Sequence, residues 1–467
     1  MESQILHEGN IPPDGLERPG PRPRNDFITA NNRPDGLKLY RFCDILSYSS
    51  GTNIPSFPSL RLRNDVKVAL MKILVTIPLL CLLILAPHPA TARTWLVSTD
   101  GSGDAPTIQA AMDSALAGDV VMLECGIYYE HDISLKHNVL LTSLTGEPDC
   151  AIIDAGKAGR VLSCVALARI SGITLKNGMA PCSDDGYGNL ECYGGGVFLP
   201  RGRLEAVNCA FLDNYTSMGP SQATGKGGGI YCFASTVTLT DCTFHGNKSQ
   251  WGGGIYCESS WVTLTGCRFY DNFAEFGGGG LSCREVRFGV TMTGCVFARN
   301  ITPKEGGGVY AWSQSSASYG SAIDNCTFNK NEAAERGAGV CWVSAGSTLG
   351  VSRTIIAFST QGNAFTFARN NILEPDVTVS CCDFYGNAGG DWVDGIEGQA
   401  DVNGNFSLDP RFCSEETDDL GLKQCSPCAP GNHPDGTDCG QVGALPVACP
   451  GTAVQETTWG RIKSMFR

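Results

Sequence analysis

Residues 227–247, GGGIYCFASTVTLTDCTFHGN, return as GGGIYCESSWVTLTGCRFYDN at residues 252–272. The two copies start 25 residues apart, and each runs from three glycines to an asparagine 20 residues on. Looser copies follow Gly194, Gly277, Gly306 and Gly337. Self-similarity at this period means one supersecondary unit stacked many times, each copy covering the apolar face of its neighbour.

Within the unit, Val237-Thr238-Leu239-Thr240 alternates apolar and polar residues, the period of a half-buried strand. The next copies carry Val262-Thr263-Leu264-Thr265 and Val290-Thr291-Met292-Thr293. A second short strand follows as Cys242-Thr243-Phe244, Cys267-Arg268-Phe269, Cys295-Val296-Phe297 and Cys326-Thr327-Phe328. The glycines lead into a third, Ile230-Tyr231-Cys232 and Ile255-Tyr256-Cys257. No helical spacing occurs inside the repeats. Strands this short gain stability only by pairing in parallel with the turns of chain above and below. The expected fold is all-β, a single-stranded right-handed parallel β-helix with coils about 4.8 Å apart.

Equivalent residues then form ladders along the axis. Phe211, Phe244, Phe269, Phe297 and Phe328 predict one inward aromatic stack, each ring contributing roughly 1.5–3 kcal/mol on burial. Three residues after each stands Asn214, Asn247, Asn272, Asn300 or Asn331. An asparagine at a bend tolerates left-handed backbone angles and satisfies main-chain groups that no sheet reaches. Asn214, Asn247, Asn300 and Asn325 also match the glycosylation pattern. The repeat spacing favours the ladder over glycan attachment.

These GGGI and F-x-x-N repeats resemble those of bacterial polymorphic outer-membrane proteins, within the wider pectin-lyase-like β-helix superfamily. The resemblance covers 194–331 strongly and 95–449 more loosely. It implies the fold, whereas activity varies widely across such a scaffold. Ile108, Ala111, Met112, Ala115 and Leu116 have the spacing of an amphipathic helix over 107–117, ahead of a strand at Val120–Leu123. This resembles the N-terminal cap of pectin-lyase-like proteins, in which a helix covers the open end of the core. Residues 93–124 are assigned to that cap and 125–410 to coils, with insertions at 179–193 and 217–226. Residues 411–450 resemble the closing segment of secreted β-helix proteins. They hold Cys413, Cys425, Cys428, Cys439 and Cys449, consistent with a disulfide-stapled C-terminal cap. The tail 451–467 is far too short for an outer-membrane barrel.

Upstream, residues 1–70 show no periodicity and read as a disordered extension ahead of a start at Met71. Met71-Lys72, the apolar run 73–86 and Ala90-Thr91-Ala92 form the pattern of a secretory signal peptide over 71–92. At 14 residues the run is short for a membrane span. Export to the outside or the cell surface follows, with no span in the mature chain. Residues 1–92 carry ten basic and eight acidic side chains, so a total of −13 becomes −15 for the remainder. That balance argues against nucleic acid and anionic membrane as partners. It also disfavours a long anionic polysaccharide without calcium or a local basic patch.

Of 23 cysteines, 21 lie beyond the signal segment, and export implies disulfides among them. Cys182 and Cys192 close the first insertion. Two in-register columns, Cys209, Cys242, Cys267, Cys295, Cys326 and Cys232, Cys257, Cys283, read equally as inter-coil bridges or as buried thiols. One C-x-x-C, Cys425–Cys428, and six scattered histidines give no metal-ligand set.

Lyases and hydrolases on this scaffold need acidic residues for calcium with a basic side chain, or paired carboxylates, on adjacent coils. The best acidic cluster is Asp184, Asp185 and Glu191, which reads as a solvated turn, a calcium staple or a catalytic pair. The column before the glycines reads Tyr193, Lys226, Trp251, Phe276, Glu305, Arg336. A second, outward column reads Phe198, Tyr231, Tyr256, Ser282, Tyr310. Neither pairs carboxylates. Rings one coil apart suit stacking on sugars or anchoring a partner, and equally suit plain strand propensity. The expectation is an exported β-helix scaffold that binds a glycan or a surface partner through Trp251, Phe276, Phe198, Tyr231, Tyr256 and Tyr310. A polysaccharide lyase or glycosidase, and a purely structural envelope component, are the alternatives. Calcium is the one cofactor this chemistry admits.

Overall fold

The computed structural model describes residues 92–449, apart from 185, 187–189, 217–222, 286–288, 315–319, 345–347, 370–376 and 416. The upstream extension, residues 71–91 of the signal segment and the tail 451–467 lie outside the described residues, as does Asp185.

The central coils hold four strands each, one more than the repeat suggested. In the coil from Gly227 they are Ile230–Phe233, Thr236–Thr240, Thr243–His245 and Lys248–Trp251. Stacking coils produces four parallel sheets, here numbered I to IV in that order. Among the described residues they have nine, eleven, ten and seven strands. The register is that of the repeat: Val237 opposes Val262, Leu239 opposes Leu264, and Phe244 opposes Phe269. The fold is a right-handed parallel β-helix.

The two ladders form as expected. Phe211, Phe244, Phe269, Phe297 and Phe328 stack with centroids 4.4, 4.7, 4.5 and 4.9 Å apart and planes within 5°. Beside them the asparagines chain together inside the bend between sheets III and IV. Asn272 Oδ1 accepts from the Asn247 backbone N–H at 3.1 Å and from Asn247 Nδ2 at 2.9 Å. Asn272 Nδ2 in turn donates to the Phe244 carbonyl at 3.0 Å and to Asn300 Oδ1 at 2.9 Å. These asparagines are buried, so the sequon positions Asn214, Asn247 and Asn300 are spent on the fold. At the opposite corner Gly252 takes φ +63°, and a Cβ there would lie 2.3 Å from the Ile255 carbonyl oxygen. Only glycine fits that turn.

The N-terminal helix runs Ile108–Ser114, shorter than the spacing implied. Thr107 caps it by accepting from the Ala110 N–H. Ile108, Ala111, Met112 and Ala115 enter the core, but Ala115 is already extended and Leu116 is 67% exposed. The strands Thr94–Val97 and Val120–Leu123 that flank the helix are the first two of sheet II. The cap is therefore continuous with the solenoid. The insertion closed by the Cys182–Cys192 disulfide is an antiparallel hairpin, Cys182–Asp184 with Leu190–Tyr193, on the edge of sheet IV. The second insertion returns as the strand Ala223–Lys226 of the same sheet.

The C-terminal segment departs most from expectation. The last ring of the stack, Phe384, is covered by Trp392 at 4.5 Å, inside the region assigned to coils. Residues beyond 410 instead fold back along the outer face of sheet III. Phe412, Leu420, Leu422 and Val442 bury against Val296, Ala298, Ile355 and Ala357. Arg299 pairs with Asp418, Lys330 with Glu415, and the Gly443 N–H donates to the Arg353 carbonyl. Of the five cysteines there, only Cys413 and Cys449 join each other. Cys439 reaches Cys381 in the bend that leads into sheet III, while Cys425 and Cys428 are free. A fourth disulfide, Cys125–Cys150, ties the first coils beside the Gly126↔Ala151 pair and was not foreseen. Both cysteine columns are buried free thiols, which settles that alternative toward packing. Burial pushes Cys232, Cys242, Cys257, Cys267 and Cys295 well above the usual thiol range.

Candidate functional site: a notch in a wall of rings

At the glycine corner, sheets IV and I meet with no side chains between them. The residue before the glycines and the second residue of each sheet I strand therefore face one another across the corner. Tyr193 lies 4.4 Å from Tyr231 between centroids, and Trp251 lies 5.9 Å from Tyr310. The sheet I column pairs Phe198, Tyr231, Tyr256, Ser282 and Tyr310 coil by coil, as read from the sequence. It points away from the core, yet Tyr231 is 6% and Tyr256 only 2% exposed. The opposing column covers them.

That opposing column is corrected at one position. Trp251 pairs with Gly277, not Phe276, because a β-bulge lies between Ser249 and Trp251. Gly277 then pairs with Glu305, and Glu305 with Arg336. Phe276 is displaced outward, 41% exposed, and meets the Trp251 ring at a tilt, with centroids 5.5 Å apart. One coil thus carries Gly277 and Ser282 where its neighbours carry Trp251 with Tyr256 and Glu305 with Tyr310. Two missing side chains on one coil leave a notch. Trp251 and Tyr310 lean together over Gly277, where an added Cβ would come 3.2 Å from the Tyr310 ring.

The resulting cavity has a volume of about 400 Å³. It is lined by Glu191, Thr224, Lys226, Trp251, Tyr256, Ser282, Arg284, Tyr310 and Trp312. Lys226 Nζ holds Glu191 Oε1 at 3.0 Å and lies 5.3 Å from the Tyr193 ring. The Arg284 guanidinium lies 5.3 Å from the Trp312 ring centre. Tyr256 donates its hydroxyl to Glu258 Oε2 at 3.1 Å. Burial, then the charge of Glu258, pushes the Tyr231 and Tyr256 phenols above their usual range, and burial with Glu305 does so for Tyr310. These phenols stay protonated at neutral pH and serve as donors. The notch thus offers aromatic faces, hydroxyls and an exposed cation, but only one lining carboxylate, Glu191, already paired with Lys226.

The acidic cluster divides. On the hairpin Ser183 opposes Glu191 and Asp184 opposes Leu190. Alternation then turns Asp184 and Glu191 to opposite faces. Glu191 enters the notch, while Asp184 accepts from the Gly186 N–H at 2.7 Å on the exposed turn. Among the described residues no group of three or more His, Cys, Asp or Glu is arranged to hold a metal ion. Arg284, Trp312, Lys226 and Thr224 were not singled out as binding residues from the sequence. Arg284 and Trp312 share one further outward column of sheet I, which could have been counted in the same way.

A parallel solenoid with a ring-lined notch on one outer corner defines the class: a repeat scaffold of the right-handed β-helix type. The chain belongs to the right handed beta helix region family, whose pattern matches residues 124–319 and 228–407. Solved structures similar to it include pectate lyase Pel9A, at 13% identity and TM-score 0.37, covering 77% of this chain and 97% of that one. The PL6 family alginate lyase AlyGC matches at 14% identity and TM-score 0.34, over 64% and 40%. Pectin methylesterase PemA from Erwinia chrysanthemi matches at 12% identity and TM-score 0.32, over 69% and 94%. No curated protein matches the chain.

Proposed function

We propose that this chain is an exported carbohydrate-binding β-helix whose notch above Ser282 holds a sugar ring, the end of a glycan rather than a long run of one. The observation that carries the reading is the break in the wall of rings at Gly277 and Ser282. Its volume of about 400 Å³ falls within the roughly 300–1,000 Å³ of small-molecule sites. Aromatic faces of Trp251 and Tyr310 stack on the C–H face of a sugar, and Arg284 supplies a forked donor for hydroxyls or one acidic substituent. Because Lys226 is paired with Glu191, the Arg284 cation offsets the chain's negative balance at this spot. The single lining carboxylate, tied to Lys226, favours binding over hydrolysis by a carboxylate pair. Four disulfides and the signal-type segment 71–92 support export.

The test is a glycan array followed by titration of any hit against the wild type, Trp251→Ala and Arg284→Ala. Both variants should lose binding at least about tenfold, the size of one hot-spot contact, with melting temperature nearly unchanged. Unaltered binding in Trp251→Ala sinks the proposal. In parallel, a panel of plant, algal and bacterial polysaccharides is incubated with the protein, with and without calcium. New reducing ends or unsaturated products would replace the binding reading with a lyase or hydrolase.

A further inference from the structure

Eight of the described cysteines are joined in four disulfides, two of them anchoring the C-terminal segment. Between those anchors lies Cys425-Ser426-Pro427-Cys428, whose two thiols are free and differently placed. Cys425 is exposed, on a turn with Lys423, Gln424 and Pro430 also exposed. Cys428 is buried, and its Sγ lies 3.1 Å from Asp383 Oδ2. Asp383 is itself buried on sheet III, with Oδ1 accepting from the Leu408 N–H at 3.0 Å. We propose that Cys425, Cys428 and Asp383 form a thiol–disulfide exchange site acting on an exposed disulfide of a partner polypeptide.

The turn is built to hold this arrangement. Ser426 is buried, donates to the Pro410 carbonyl at 2.6 Å and accepts from the Cys428 N–H at 3.0 Å. Arg411 Nη1 donates to the Cys425 carbonyl at 2.9 Å. The Ser426 N–H reaches the Lys423 carbonyl, and the Ala429 N–H reaches that of Ser426. Two successive turns thus place one thiol outside and the other inside, three residues apart. A buried carboxylate is costly and marks a functional candidate when a reactive group faces it. Burial pushes Asp383 up to about 8, with Asp391 and Asp409 acting in the same direction. It can therefore take or give a proton near neutrality. Burial, then the Asp383 charge, pushes the Cys428 thiol well above its usual range, so Cys428 needs a base.

The chemistry balances without an outside oxidant. The Cys425 thiolate attacks one sulfur of the partner's disulfide, forming a mixed disulfide and releasing the first partner thiol. The Asp383 carboxylate takes the Cys428 proton, and the Cys428 thiolate attacks Cys425 Sγ. A Cys425–Cys428 disulfide forms, the second partner thiol leaves, and the proton passes to it. The pair loses two electrons and the partner disulfide gains them. The exposed turn suits a disulfide presented on a polypeptide surface.

The test uses the exported chain from residue 93, which leaves out Cys43 and Cys81, brought by limiting dithiol to a state in which mass spectrometry counts four disulfides. The probe is the aromatic disulfide dithiobis-nitrobenzoate, which releases coloured nitrothiophenolate. Wild type should release two equivalents and end with a mapped Cys425–Cys428 bond. Cys428→Ser should stop at one, with the reagent retained on Cys425. Cys425→Ser should release none. Asp383→Asn, which keeps the size and the neutral form, should slow only the second release, by about a hundredfold as for loss of a general base. Release from Cys425→Ser, or a wild type that stops at one equivalent, overturns the proposal. So does a pair that cannot be reduced before the other disulfides open. An unslowed second step in Asp383→Asn removes the carboxylate from it.

Discussion

Replacing Asn272 by alanine should cost far more than its size suggests. The amide is one link of a buried chain. Without it the Asn247 backbone N–H and one hydrogen of Asn247 Nδ2 lose their acceptor. The Phe244 carbonyl and Asn300 Oδ1 each lose a donor. Asn247 Nδ2 keeps its bond to the Phe211 carbonyl and Asn272 N–H still reaches Asn300, so the neighbours are weakened rather than stripped. Two stranded donors at about 1–3 kcal/mol each, with the acceptors cheaper, give a loss of about 3–5 kcal/mol. The ladder supplies its own comparison. At its first link Asn214 Oδ1 accepts only from the Gly178 N–H among the bonds found here, so Asn214→Ala should cost about half as much, ~1.5–3 kcal/mol. Exposed Thr263→Ala on sheet II should fall within about 0.5 kcal/mol of wild type. Urea unfolding of the three variants measures the order, and hydrogen exchange at the Asn247 amide reports whether its partner has gone. An Asn272→Ala loss no larger than that of Thr263→Ala, or smaller than that of Asn214→Ala, would refute the ladder as a stabilising device.

Phe269→Ala should lose about 3–5 kcal/mol by transfer and cavity effects, because the ring is sandwiched between Phe244 and Phe297; urea unfolding checks it. In Gly253→Ala the new Cβ would stand 2.5 Å from both the Gly279 and Phe273 carbonyl oxygens, so coils must separate at a cost of about 1–3 kcal/mol, visible as a lowered melting temperature. Asp383, about 8 when folded against an ordinary 3.8, gives stability that is fully present below pH 3.8 and lost as pH rises through about 8. Unfolding midpoints should fall across that window, and Asp383→Asn should flatten the fall. At Asp271, bonds from His245 and Arg299 outweigh the upward push of burial and hold the carboxyl at about 2. Its contribution is present above pH 3.8 and lost as pH falls toward 2, so Asp271→Asn should be less acid-sensitive than wild type between those limits.

What could be read from the sequence was whatever every coil must solve in the same way. Each coil needs a ring beneath the ring above, an amide for the bend, and a corner without Cβ atoms, so phenylalanine, asparagine and glycine recur in register. The fourth strand escaped because its inward residues are small, Ser249 and Ala274, and leave no apolar alternation to count. The C-terminal fold-back escaped because its contacts, such as Arg299 with Asp418, span 119 residues and obey no local period. The burial of Tyr231 and Tyr256 escaped because alternation says only which side of its own sheet a residue faces. Another sheet can still cover that side. The notch is not legible in the sequence for a related reason. Counting back from the glycines sets Phe276 beside Trp251, whereas Gly277, the first of the four glycines 277–280, belongs to the column and signals the bulge. Repetition therefore specifies the scaffold, and a binding site must break it, because identical coils present only an unbroken wall. The departures from the pattern, Gly277 with Ser282 on one coil and the unrepeated Cys425–Cys428 pair on the fold-back, are where this chain has room for a specific ligand or reaction.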